Sequence, residues 1–189
     1  MYSKLSSGVS RGSLTALVFA AFLALPHVVM AQDSNDVPSC PTTRDPAARL
    51  WCQGGAKFLD RDYAAAIPLY SRALQLHKSR PTLSRSAWRV LVDNLGMAYG
   101  ITGDLQKAKE IFDYGIAADS TYPMFYYLMA DDYAEMGDKP HAIAYLKRAY
   151  ALRANMIPGE TLPDPLTDDS FQRFIHDPVF LNAVRQLSK

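Results

Sequence analysis

The chain has 189 residues but only two cysteines and four histidines, and its formal net charge is +1. Near neutrality excludes the dense positive footprint of a general nucleic-acid binder. Cys40 and Cys52 are too far apart for a Cys-x-x-Cys redox pair. His27, His77, His141 and His176 are singletons without metal-ligand spacing, and no glycine-rich phosphate loop is present. Gly8-Val9-Ser10-Arg11-Gly12 has the spacing of a nucleophile elbow, but no strand precedes it and it sits in a leader-like segment, so it is a chance match. Hydrophobic residues make up 49% and charged residues 21%, a balance that can build a packed core and excludes wholesale disorder.

The N-terminus follows a recognisable order. Lys4 and Arg11 are the only charges before Asp33, Leu14 to Leu25 is an unbroken apolar run, Pro26 ends it, and Val29-Met30-Ala31 is compact. That is the order of a secretory signal over residues 1–31. The rival is an uncleaved membrane anchor over Ser13 to Gln32, which Pro26 and His27 interrupt. Lipid anchoring is not expected, because no cysteine directly follows the apolar run. Removal of the leader leaves 189 − 31 = 158 residues, with 20 − 2 = 18 basic and 19 acidic side chains. No integral span is expected in that remainder. Export to the periplasm or beyond favours a Cys40–Cys52 disulfide over two buried thiols. Such a bridge would tie a tail over residues 32–44 to the first helix.

The rest is organised by an internal repeat. Tyr99, Gly103, Asp104 and Ala108 recur 34 residues later as Tyr133, Gly137, Asp138 and Ala142. Ala66 precedes Ala108 by 42, which is the same period plus an eight-residue insertion around Lys78 to Arg85. A period of this length belongs to stacked helix pairs. Gly96, Ala130, Ala66, Ala108 and Ala142 are the small residues at close helix crossings, while Tyr70, Tyr99, Phe112, Tyr133 and Leu146 are the knobs that fill the space. Gly103-Asp104 and Gly137-Asp138 read as a left-handed helix end followed by the next N-cap. Arg61 replaces that glycine in the first unit, so its turn should be less ideal.

These stretches resemble tetratricopeptide repeats. The third unit carries Tyr126, Met129, Ala130, Tyr133, Ala142, Leu146 and Ala149 at signature positions. The second carries Val92, Leu95, Gly96, Tyr99, Ala108 and Phe112, and the first Leu50, Gly54, Ala66, Tyr70 and Ala73. The first unit departs at Gln53 and Lys57, and none keeps the family's proline after its second helix. The resemblance covers about 45–153 and implies an all-α, right-handed solenoid of three repeats, at about 47–79, 89–121 and 123–154. A proline-containing linker over 154–167 and capping helices over 168–189 follow. Phe171, Phe174, Ile175, Val179, Phe180, Val184 and Leu187 are the residues expected to cover the open end.

The resemblance further implies a concave surface lined by the first helix of each pair. Inward-looking positions are then Ala48, Trp51, Gly55, Phe58 and Leu59, next Val90, Asp93, Asn94, Met97 and Ile101, and last Met124, Tyr127, Asp131 and Glu135. Trp51, Phe58, Asp93, Asn94, Met97, Tyr127, Asp131 and Glu135 form the candidate groove for a protein or peptide partner with apolar anchors and a Lys or Arg. Packing of some of them against the tail or the linker is the competing expectation. Cytosolic members clamp a carboxylate with Lys, Arg and Asn; only Asn94 stands at such a position, so that activity is not expected. No cofactor, metal or nucleic acid is expected. Two other functions remain in view, a self-associating homo-oligomer and an envelope hydrolase using Asp131, Asp132 and Glu135. Asp131 and Asp132 point about 100° apart on a helix, which weighs against the last.

Overall fold

The computed structural model of the chain describes Cys40 and residues 43–187. The expected signal at 1–31, most of the tail and the Gly8–Gly12 match lie outside these residues. Among the described residues seven α-helices follow one another: α1 (Pro46–Leu59), α2 (Tyr63–Ser79), α3 (Arg85–Ile101), α4 (Leu105–Ala118), α5 (Pro123–Glu135), α6 (Lys139–Ala151) and α7 (Pro178–Leu187). Short 3-10 helices occupy Arg153–Asn155 and Asp169–Phe174. The first six pair as α1–α2, α3–α4 and α5–α6, and each pair packs on the next. This is an all-α solenoid of three helix pairs.

The turn inside each pair is built the same way three times. The amide of Asp62, Asp104 or Asp138 donates to the carbonyl of Lys57, Tyr99 or Tyr133 at 2.8–2.9 Å, and the preceding amide reaches back three residues. Each aspartate side chain then accepts from a first-turn amide of the next helix, Ala65, Lys107 or His141. Such a double closure needs a left-handed residue before the aspartate. Gly103 and Gly137 adopt φ of 90° and 79°, and Arg61 adopts 61°. Arg61 therefore does not break the motif; it makes the same bonds in a conformation that opposes a side chain.

Close approach within each pair is matched by knob size. A Cβ on Gly54 would come 2.6 Å from the Tyr70 ring, and one on Gly96 would come 2.3 Å from Phe112. In the third pair Ala130 faces the smaller Leu146 at the equivalent places, and all three large partners and the alanine are buried. Tyr70 carries a hydroxyl that the other knobs lack, and Asn94 Nδ2 donates to it at 3.1 Å.

The insertion around Lys78 to Arg85 is taken up as helix. Both α2 and α3 run 17 residues against 13 for α5 and α6, which leaves a short connection. His77 Nδ1 accepts the amides of Thr82 and Leu83 and shapes that turn, while Ser84 caps α3. Cys40 and Cys52 form a disulfide that fixes the approach to α1. At the far end the 3-10 helix Asp169–Phe174 packs on α5, and α7 packs on α6. Phe171 and Phe180 are fully buried there, stacked 5.6 Å apart. Lys139 pairs with Asp177, the residue before α7. Val179 does not join the covering set as expected; it is 62% exposed. Among the described residues no helix is long and apolar enough to cross a membrane.

Candidate functional site

The first helices of the pairs touch in succession, α1 on α3 and α3 on α5, so they form the inner face of the stack. Over the first two pairs that face is apolar and open. Leu59 and Ile101, one at the end of α1 and the other at the end of α3, are 49% and 54% exposed. Val90 and Met97 on α3 and Trp51 and Phe58 on α1 are half-buried beside them. Phe58 also meets Tyr63 edge-on at 5.0 Å.

Over the third pair the inner face is covered. Residues 156–168, nearly all within the linker expected at 154–167, run along α5 as a strap. Met156, Ile157 and Leu162 pack against the core, and Pro165 is buried. The Tyr150 hydroxyl of α6 donates to the Pro163 carbonyl at 2.9 Å, and the Tyr127 hydroxyl donates to Asp168 Oδ2 at 3.0 Å. Just beyond, Arg173 donates to the Glu135 carbonyl at 3.0 Å.

The predicted groove residues therefore divide. Tyr127 is completely buried, with its ring edge-on to Phe171 at 5.9 Å. Met124 is buried as well. Asp93 is buried at the strap's other end, and Asn94 is turned to the Tyr70 hydroxyl, not to a partner. Asp131 is half-buried with Oδ1 enclosed, while the Glu135 side chain is exposed at the rim. As an open surface the groove is thus shorter than expected. The reason lies in α5 itself: Pro123 to Ala130 are all buried, because a helix apolar on every side must be covered on every side.

The acidic residues do not converge on one centre. Asp131 faces the strap, where burial pushes its carboxyl well up and Asp168, Asp132 and Glu135 add to the rise. Asp132 points to α3, where a Cβ on Gly100 would come 3.3 Å from its Oδ1. Burial lifts its carboxyl to about 7, with Glu135 adding and Lys109 opposing. Asp93 is raised by burial first, against a hydrogen bond from Tyr122. Among the described residues no group of three or more His, Cys, Asp or Glu side chains is arranged to hold a metal.

Arg85 and Arg89 belong to a dilute basic tint of the N-terminal half, with Arg44, Arg49, Lys78 and Arg80, which in the sequence alone reads as a solvated face. Arg89 is instead buried, 4.5 Å over the Tyr122 ring, and both arginines bind Asp119 at 2.8 Å. Burial alone would raise the Asp119 carboxyl, but hydrogen bonds from Arg85, Thr121 and Arg89 hold it far below the usual range. The signal that could have found this pair is the lone aspartate in the turn between the second and third units.

The geometry defines a helical-repeat solenoid with an inner face part open and part strapped. Residues 92–121 match the tetratricopeptide repeat family. The fold is similar to PcrH from Pseudomonas aeruginosa, at 15% identity and a TM-score of 0.53 over 78% of this chain and 95% of that one. It is also similar to PcrH in complex with the chaperone binding region of PopB, at 16% identity and 0.52 over 78% and 96%. The Sgt2 TPR domain from Aspergillus fumigatus aligns at 19% identity and 0.52 over 75% and 79%. No curated protein matches the sequence. The chain thus carries a match to one tetratricopeptide repeat on a solenoid fold that it shares with these structures.

Proposed function

We propose that the protein is a non-catalytic adaptor of the cell envelope that holds a segment of a partner protein against its inner face. The observation that carries this reading is the open apolar strip of Leu59, Met97 and Ile101 beside Phe58, set on the first two of three successive helix pairs. Side chains of this kind, displayed on rigid helices, take apolar anchors of an extended or helical segment. Acidic groups at the rim favour a Lys or Arg in that segment. A solved protein of similar fold is a complex with a chaperone binding region, which supports peptide capture as a use of this architecture. The charged, apolar, compact order of residues 1–31 and the Cys40–Cys52 bridge support an exported location.

The test is a crosslinking pull-down from envelope extract with residues 32–189, beside a Met97→Ala, Ile101→Ala variant. Both side chains lie at the open strip, so helical content should be unchanged. A partner recovered by the parent and lost by the variant is the expected result. Equal recovery by both overturns the inner face as the working surface.

A further inference from the structure

The seat of the strap contains more short oxygen contacts than the ionised groups can satisfy. The Tyr122 hydroxyl lies 2.9 Å from Asp93 Oδ2 and also 2.9 Å from Glu160 Oε2. Two O–H···O bonds need two hydrogens, and the phenol has one. The second must come from a protonated carboxyl. Asp93 is the better holder: it is buried, and its Oδ1 has no hydrogen-bond partner, which an ionised group there would tolerate least. The arrangement is then a relay in which the Asp93 O–H donates to Tyr122 and the Tyr122 O–H donates to Glu160.

A second acidic contact forms further along, with a single acceptor on the phenol. The strap brings Asp168 to Tyr127, beside Asp131, whose Oδ1 is likewise enclosed without a partner. Over residues 156–168 the strap carries Glu160, Asp164 and Asp168 and no basic residue. An acidic strap therefore lies on an acidic stretch of the inner face.

The charged and titratable neighbours do not neutralise it. At the first site Arg89 of α3 faces Asp93 and Glu160, but it is already bound to Asp119. At the second site Asp132, Glu135 and Tyr127 of α5 surround Asp131. Tyr150 of α6 stands near Tyr127, and Lys109 of α4 is paired with Asp113 and acts on Asp132. Arg173 is engaged with the Glu135 carbonyl.

We propose that residues 156–168 are a proton-latched strap, the inner face's own occupant, which seats while Asp93 and Asp131 hold protons and lifts as those protons leave. Lifting would extend the open strip along α5 past Tyr127. The consequence for partner capture rests on the adaptor reading; the latch itself is a property of the chain alone and is tested without a partner.

The direction follows from the carboxyls. Burial raises Asp93, Asp131 and Glu160 in the seated state. Seating is therefore complete in acid and weakens once pH rises through the elevated values. The experiment is hydrogen exchange by NMR on the chain without its leader, read as protection factors so that intrinsic exchange rates cancel. From about pH 5 to about pH 8, amides of Glu160, Leu166 and Asp168 should lose protection at least about tenfold, the change that one pH unit of linkage supplies for one proton. Amides in the middle of α3 and α4 should not follow. Glu160→Gln, whose amide group supplies the missing hydrogen at any pH, should flatten the strap's profile, and Tyr122→Phe should release the strap even in acid. Strap protection that is constant with pH, that falls only together with α3 and α4, or that keeps the parent slope in Glu160→Gln overturns the latch. None of these results would decide whether the open strip binds a partner.

Discussion

Replacing Gly96 by alanine places a methyl group 2.3 Å from two carbons of the Phe112 ring, where ordinary contact begins near 3.4 Å. The ring is only 1% exposed and has nowhere to swing. Overpacking of this kind costs about 1–3 kcal/mol, and the better helix propensity of alanine returns about 0.5–1. Gly96→Ala should therefore lose about 1–2 kcal/mol. Phe112→Leu leaves a void at a buried site and should lose about 1–2 kcal/mol as well. The double variant reproduces the Ala130–Leu146 pair of the third unit, in which the methyl occupies the space the ring has left. Independent sites would lose about 2–4 kcal/mol together. Complementary ones should leave the double variant within about 1 kcal/mol of the parent, a coupling of about 2. Urea denaturation followed by helical circular dichroism measures all four proteins, with a common dependence on denaturant as the control for two-state behaviour. Losses that add to within about 0.5 kcal/mol would refute the matched knob and gap as the reason for glycine at this place.

Arg61→Gly should stabilise by about 0.5–1 kcal/mol, since removing left-handed strain outweighs the looser unfolded chain; an unchanged or lower denaturation midpoint refutes it. Asp132→Asn should flatten part of the pH dependence of stability. The folded carboxyl near 7 stands above its ordinary 3.8, so its stabilising contribution is full below about pH 4 and lost as pH rises through 7, by about 4 kcal/mol (7 − 3.8 ≈ 3.2, at about 1.36 per pH unit). Denaturation at several pH values checks this, and a variant with the parent's slope refutes it. Opening the Cys40–Cys52 loop, a separation of 12 residues, by serine substitution should cost about 2–3 kcal/mol. The same loss should appear in the parent on reduction, and a midpoint indifferent to reductant refutes it.

Much of the solenoid was legible because its information is periodic. Recurrence of Tyr99, Gly103, Asp104 and Ala108 at a fixed spacing specifies helix, turn and cap together. The structure shows each aspartate capping and each glycine left-handed. Arg61 was read as a weak point of its turn, yet the turn's hydrogen bonds are intact. Flanking helices dictate the backbone path, and a local penalty of about 1–2 kcal/mol is too small to override it. The arginines were misread for a different reason. A basic residue near other basic residues looks solvated until its partner is known, and Asp119 lies 30 residues from Arg89 in sequence.

The strap was the least legible feature, because an irregular segment carries no period from which a face can be read. Its proline content and three carboxylates describe a solvated linker as well as they describe a seated one. The demand for a cover lay elsewhere, in α5. Met124, Phe125, Tyr126, Tyr127, Leu128 and Met129 leave that helix no polar side through its first two turns, and a helix of that kind cannot present a wet face. Asp131 and Asp132 then end the apolar run a third of a turn apart, one under the strap and the other against α3. Apolar residues on α5 therefore demand a cover, while Asp93 and Asp131 beside them oppose an acidic one. Protonation is what reconciles the two demands, since it removes the repulsion and leaves the apolar contact in place. An occupant carrying Lys or Arg would meet both demands with the carboxylates ionised, so the face that holds its own strap in acid is suited to a basic segment at higher pH.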